Sequence, residues 1–339
     1  MPPENTLRYR KTRFVCISDT HNQTPRLPSG DVLIHAGDLT NQGSISELSK
    51  TVKWLERADF EAKIVIAGNH DVTLDKQFYE EYGSYFHNQS VQSPDECLDL
   101  LTASPSITYL NHSSAAIELT KSPNLKVSFN VFGSPYSPRC GMWAFGYDET
   151  SHSSSDSRDA NRSSEKTAAD LWSAIPLDSD IVVTHTPPYH HCDEFFSKRR
   201  AMGCEDLRRA LWRVRPRLAV CGHVHEGRGV ERVRWDLLGK TKAPYAELEV
   251  ARWEDPSAAQ GSKKLSLVNL TARSSWEGAL DNDGSHSTQQ GITALGGRMG
   301  RKETCVVNCS IAATSWPHAG GKRFNKPIVV DLELPIIAD

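Results

Sequence analysis

The chain has 339 residues, of which 38% are hydrophobic and 24% charged, with a formal net charge of −3. That composition supports a packed globular body and argues against a binder of nucleic acid or anionic lipid, which a strong basic excess would steer. No run reaches the roughly 18 apolar residues of a membrane span, and the opening MPPENTLRYRKTRF lacks a secretory apolar stretch, so the expected setting is cytoplasmic. Eight scattered cysteines, none in a C-x-x-C pair, read there as reduced and mostly buried thiols.

Short apolar runs follow one another: RFVCIS (13–18), VLIHAG (32–37), KIVIAG (63–68), VSFNVFG (127–133), IVVTH (181–185) and LAVCG (218–222). Their β-branched, nearly continuous apolar character predicts strands buried on both faces. Between the second and third, Ile45, Leu48, Val52 and Leu55 repeat at helical spacing behind a Ser44/Glu47 capping box. Residues 148–166 are rich in Ser and Asp and read as a mobile surface loop. Leu207, Ala210, Leu211 and Val214 form a second helical stripe that Pro216 stops. Strand signals resume at TCVVNCS (304–310) and PIVVDLEL (327–334). This alternation indicates an α/β fold. The expected organisation is a single domain over 1–339, with its core at about 13–227 and 301–335 and a loop-rich insertion at 240–302.

The informative residues come just after the apolar runs. They are Asp19-Thr20-His21, Gly37-Asp38, Gly68-Asn69-His70-Asp71, His185 and Gly222-His223-Val224-His225. Residues beyond the carboxyl ends of strands face one crevice in open α/β sheets. Taken singly, the Asp is a helix cap, Asn-His a turn and His-x-His a surface pair. Taken together, oxygen and imidazole donors from five strand ends suit a cage for Mn²⁺, with Fe or Zn²⁺ as alternatives.

This ordered set resembles the calcineurin-like metallophosphoesterase superfamily. IHAGDLTNQG, VFGSPYSPRCGMWAF, VVTHTPP and RVRPRLAVCGHVHEGRG are similar to its metallophosphoesterase domain-containing (MPPED-like) subfamily, over most of 13–227 and again at 301–333. The resemblance implies a four-layer αββα sandwich with two packed mixed β-sheets. It also implies two divalent metal ions, the first held by Asp19, His21 and His225 and the second by Asn69, His185 and His223, with Asp38 bridging both.

Two cations about 3.5–4 Å apart bind one water between them and lower its pKa toward neutrality. Neutral His and Asn ligands leave such a centre positive, so it attracts a phosphate although the whole chain is negative. His70, next to Asn69, is the expected general acid. Asp71 is expected to cap the following helix, and His35 to be a buried, hydrogen-bonded neighbour. Tyr136, Trp143 and Phe145 are candidates to stack a base, and Arg139 to meet a phosphate, against the alternative of aromatic packing under a loop. His190 and His191 read as an exposed pair, and Arg208, Arg209 and Arg213 as a solvated helix face.

The function expected is a metal-dependent phosphoesterase hydrolysing diesters, and possible monoesters, of small molecules such as cyclic nucleotides. The alternative is a low-turnover, metal-dependent nucleotide-binding regulator or scaffold. GDLTNQG lacks the Asp-Arg-Gly that protein phosphatases of this fold carry, and the charge balance disfavours a nuclease. The expected partner is a small phosphate ester, with no membrane, nucleic-acid or specific protein partner.

Overall fold

All eight apolar runs form strands in the computed structural model, which describes residues 8–122, 125–148, 167–195, 200–258, 262–271, 278–282, 300–315 and 321–336. The Ser/Asp-rich stretch lies outside the described residues beyond Asp148. The elements run β1 (Tyr9–Ile17), β2 (Val32–Ala36), α1 (Ile45–Arg57), β3 (Ala62–Ile66), α2 (Lys76–Phe86), α3 (Pro94–Thr102), β4 (Thr108–Tyr109), β5 (Ser113–Leu119), β6 (Val127–Ser134), β7 (Ser137–Pro138) and β8 (Gly146–Tyr147). They continue as α4 (Ala168–Ser173), β9 (Ile181–Thr184), β10 (Glu194–Phe195), β11 (Arg200–Ala201), α5 (Glu205–Val214), β12 (Leu218–Cys221), β13 (Gly229–Trp235), β14 (Glu247–Arg252), β15 (Ser266–Leu270), β16 (Glu303–Asn308) and β17 (Ile328–Pro335). No helix among the described residues is long and apolar enough to cross a membrane.

Two mixed sheets dominate. One has six strands in the order β15-β17-β1-β2-β3-β4, the other seven in the order β14-β13-β16-β12-β9-β6-β5. Within them β1, β2 and β3 are parallel neighbours, as are β9, β12 and β16. Side chains alternate between two cores, as the period of two requires. From β1, Phe14 and Cys16 enter the core between the sheets, while Val15 and Ile17 face the helices. From β12, Leu218 and Val220 point inward and Ala219 outward. Phe14 meets Phe129 of the opposite sheet with ring centroids 5.7 Å apart. Each fully buried Val, Leu, Ile or Phe side chain here contributes roughly 1.5–3 kcal/mol.

Helices α1 to α3 cover the outer face of the six-stranded sheet, and α4 and α5 the outer face of the seven-stranded one. The result is the αββα sandwich. The capping box of α1 forms as expected, with Ser44 accepting from the Glu47 amide and Glu47 accepting from the Ser44 amide. Its stripe of Leu48, Val52 and Leu55 is buried. Helix α5 buries Leu207, Ala210, Leu211 and Val214 and ends at Arg215 in the left-handed region, one residue before Pro216.

Two expectations change. The stretch 240–302 is not merely loop-rich, because β14 and β15 lie inside it and extend the edges of the two sheets. The arginines of α5 are not simply solvated: Arg208 pairs with Glu205 and Glu247, and Arg213 donates to the carbonyls of Trp172, Ser173 and Ile175. Of the eight free cysteines, Cys140 alone is exposed.

Candidate metal centre

Strands β1, β2 and β3 deliver Asp19, His21, Asp38, Asn69 and His70 from one sheet, while β9 and β12 deliver His185, His223 and His225 from the other. Hydrogen bonds stitch the two sets together. His185 Nδ1 lies 2.9 Å from the Ala36 carbonyl, and the His223 amide donates to Asp19 Oδ1 at 3.0 Å. Ser18 donates to the other Asp19 oxygen at 2.6 Å.

The backbone is strained where the donors sit. Asp19, His21, Asp38 and His223 have φ of 49°, 43°, 54° and 66°. Left-handed conformations of non-glycine residues cost about 1–3 kcal/mol each and gather at functional sites. The bends hold because the Asp19 amide donates to the Gly37 carbonyl at 2.9 Å and the His21 amide to the Asp38 carbonyl at 3.1 Å.

All seven expected ligands come together. One donor atom each from Asp19, His21, Asp38 and His225 lies within 4.8 Å of the others. His225 Nε2 is 3.3 Å from Asp19 Oδ1, and His185 Nε2 is 3.4 Å from Asp38 Oδ1. Asn69 Oδ1 lies 2.9 Å from His185 Nε2 and 2.8 Å from His223 Nδ1.

The arrangement is rich in oxygen and nitrogen donor atoms. A carbonyl only accepts, so the Nδ1 atoms of His21 and His225, facing the Thr40 and Thr314 carbonyls at 3.2 and 3.1 Å, carry protons. Their Nε2 atoms converge at 3.4 Å, with His225 Nε2 also 3.3 Å from Asp19 Oδ1; burial lowers the His225 pKa, but the Asp19 carboxylate outweighs it and raises it overall. Burial lowers His21 to about 4 and His223 to about 3, so both rings are neutral at neutral pH. Burial alone would raise Asp19 and Asp38, but the facing imidazoles, chiefly His225 and His185, hold both below the usual carboxylate range. Burial also lowers His185, yet the Asp38 carboxylate outweighs it and raises that ring to about 9. Ionised carboxylates, an amide oxygen and imidazole nitrogens that converge on one space fit divalent cations, which would displace the protons held by His185 and His225.

His70 lies at the rim. Its amide donates to Asp38 Oδ1 at 2.9 Å, its Nδ1 faces the Asn41 carbonyl at 2.9 Å, and its ring stacks on Trp143. Asp71 does not cap the next helical turn. Its buried carboxylate accepts from the amides of Leu39, Thr40 and Gly68 and from the Thr40 hydroxyl, bracing the two loops that carry Asp38 and Asn69. Asp75 caps α2 instead. His35 is buried as expected, with Nε2 2.9 Å from the Thr20 hydroxyl, and burial lowers it to about 3.

Above the donors opens a cavity of about 1080 Å³. Of the expected substrate contacts, only Trp143 lines it. Arg139 pairs with Asp148 at 2.9 Å, Tyr136 packs edge-on against His112 and Phe145, and Phe145 is buried. His191 is not exposed: it is buried between Glu231 at 2.8 Å and Glu247 at 3.2 Å. The cavity wall also includes Phe195, Met202 and the segment Ala312–Ser315, none singled out by sequence. The last had a signal, because TCVVNCS forms β16 parallel to β12, and its carboxyl end points to the same crevice.

A family model described as calcineurin-like phosphoesterase matches residues 12–227. Metallophosphoesterase domain-containing protein 1 of Homo sapiens is 36% identical over 226 residues, covering 65% of this chain and 62% of that protein. A UPF0046 protein of Caenorhabditis elegans is 34% identical over 231 residues, 68% of each chain. A protein named probable rhamnogalacturonate lyase C, from Emericella nidulans, is 40% identical over 243 residues, covering 71% of this chain. The chain thus spans 62% of the human relative and 20% of the lyase-named one. A solved Thermus thermophilus structure, TT1561, aligns at a TM-score of 0.37 and 14% identity over 68% of this chain and 86% of that one, a likeness that carries no argument about function. With its family match over strands β1 to β12 and its donors at their carboxyl ends, the chain belongs to the calcineurin-like phosphoesterase family.

Proposed function

We propose that the chain is a two-metal phosphodiesterase acting on small molecules such as cyclic nucleotides. The observation that carries this reading is the convergence of the Nε2 atoms of His21 and His225, 3.4 Å apart, on the carboxylates of Asp19 and Asp38, with one donor atom from each of the four residues within 4.8 Å of the others. Asp19, His21 and His225 would hold one cation and Asn69, His185 and His223 a second, with Asp38 serving both. The mixed oxygen and imidazole donors favour Mn²⁺. Bound there, two divalent cations neutralise phosphate charge and lower the pKa of the attacking water.

The chain's own contribution is placement and proton transfer. With Nδ1 donating to the Asn41 carbonyl, Nε2 is the atom of His70 left to protonate a leaving oxygen. The bond from the His70 amide to Asp38 Oδ1 ties the position of the acid to that of the shared carboxylate. A cavity of about 1080 Å³ exceeds what a lone phosphate needs and suits a drug-sized or nucleotide-sized ester.

The test is hydrolysis of bis(p-nitrophenyl) phosphate by the full chain. Turnover should require Mn²⁺ and vanish in Asp38→Ala and His223→Ala. Nucleotide binding without turnover in the Mn²⁺-loaded wild type would overturn the enzymatic reading in favour of a binding protein.

A further inference from the structure

We propose that Lys322 and Arg323 form a second anion subsite on the wall of the metal cavity, so that the preferred ester carries an additional phosphate besides the one at the metals. This deepens the phosphodiesterase reading and rests on it. Both side chains line the same cavity as His21, Asp38 and His225.

Among the described residues their charge is not spent in ion pairs. The arginines of neighbouring elements are neutralised: Arg228 by Asp255 at 3.1 Å, Arg208 by Glu247 at 2.6 Å and Arg252 by Glu194 at 2.7 Å. Among the described residues, no carboxylate pairs with Lys322 or Arg323, and residues 316–320 just before them (WPHAG) contain none. Glu226, also on the cavity lining, has an interaction of its own. Two adjacent cations on the wall of a site that already attracts phosphate match a dianionic group, and arginine favours phosphate through its paired N–H donors.

Their position is tied to the metal centre. The Ala313 amide donates to the Arg323 carbonyl at 2.9 Å, the Asn325 amide donates to the Ile311 carbonyl at 2.7 Å, and Ala312 pairs antiparallel with Phe324. The segment Ile311–Ala313 that bonds to this basic stretch runs directly into Thr314, whose carbonyl faces His225 Nδ1 at 3.1 Å. Phe324, exposed on the same cavity wall, adds an apolar face beside the two cations. A monoanionic diester at the metals would leave both cations unanswered, whereas a ligand with a second phosphate would meet them.

Binding is read by tryptophan fluorescence on the Mn²⁺-loaded full chain, with adenosine 3′,5′-bisphosphate and adenosine 5′-monophosphate as probes. The bisphosphate should bind about tenfold tighter or more, the scale of hydrogen bonds to charged groups. Lys322→Gln/Arg323→Gln should erase that preference while turnover of bis(p-nitrophenyl) phosphate stays within about twofold of wild type. Lys322→Arg/Arg323→Lys should restore it. Equal affinities in wild type, or a preference that survives the double Gln variant, would overturn the subsite. A charge preference without any turnover sinks the catalytic reading and leaves the subsite standing, and turnover without a charge preference does the reverse.

Discussion

The imidazole of His70 stacks on the indole of Trp143, with ring centroids 3.9 Å apart and planes inclined by 31°. Phe86 backs the indole at 5.4 Å, His21 meets the imidazole edge-on at 4.7 Å, and the Asn41 carbonyl anchors Nδ1. The acid is therefore aimed by its neighbours. Trp143→Ala should lower kcat about tenfold or more, because small misplacements of a reacting group are expensive, while bound metal stays unchanged. Trp143→Phe, which keeps a ring, should recover most of the rate. An unaltered kcat in the Ala variant would remove Trp143 from a positioning role.

Gly68 tests how tightly the donors are packed. A Cβ there would collide with the backbone nitrogen and Oδ1 of Asp38 and come within 2.7 Å of His185 Cε1. Gly68→Ala should therefore displace the shared carboxylate and abolish metal retention and activity, although it adds one methyl group. Retained metal and rate in this variant would mean that the two loops can part without consequence.

Asp71→Asn removes a brace rather than a cap. The Asp71 carboxylate answers three amides and one hydroxyl in a buried site, and a side-chain NH₂ would confront at least one of those donors. The variant should lose about 1–3 kcal/mol of stability in urea unfolding. A loss below about 0.5 kcal/mol, the ordinary range of surface substitutions, would assign Asp71 a minor role.

His191 makes a pH-dependent contribution to stability. Burial lowers its pKa, but the hydrogen bonds to Glu231 and Glu247 outweigh that and raise it overall. Arg208 shares Glu247 and, with His191, holds its carboxyl below the usual range, while Arg252 shares Glu231. A folded-state value raised above the unfolded one of about 6.5 stabilises the fold fully below that pH, and the gain is lost as pH rises through the folded value. The stability gap between wild type and His191→Gln should thus be widest below about pH 6.5 and narrow as the pH rises above it. A gap that is constant or widens with pH would contradict the pairing.

Much of the site was legible because its donors follow immediately on apolar runs. Asp19, Asp38, Asn69, His185 and His223 could be placed at strand ends before any coordinates, and Ser44 with Glu47 marked the start of α1 correctly. What stayed hidden depends on partners remote in sequence. His191 looked exposed because Glu231 and Glu247 arrive 40 and 56 residues later. Arg139 looked available, but Asp148 folds back onto it. The left-handed φ of His21 and His223 has no residue-level signature, since neither is a glycine. Strands β14 (ELEVAR) and β15 (SLVNL) escaped notice because a half-exposed edge strand and a five-residue strand carry little apolar signal.

Equilibrium dialysis against Mn²⁺, followed by elemental analysis of the retained metal, is the most direct measurement of the cation cage. About two equivalents per chain are predicted, falling below about one in Asp38→Ala with the circular dichroism spectrum unchanged. A wild-type chain that retains no divalent cation at saturating Mn²⁺, or an Asp38→Ala chain that retains both, would contradict the convergence of Asp19, His21, Asp38, Asn69, His185, His223 and His225 on a pair of metals.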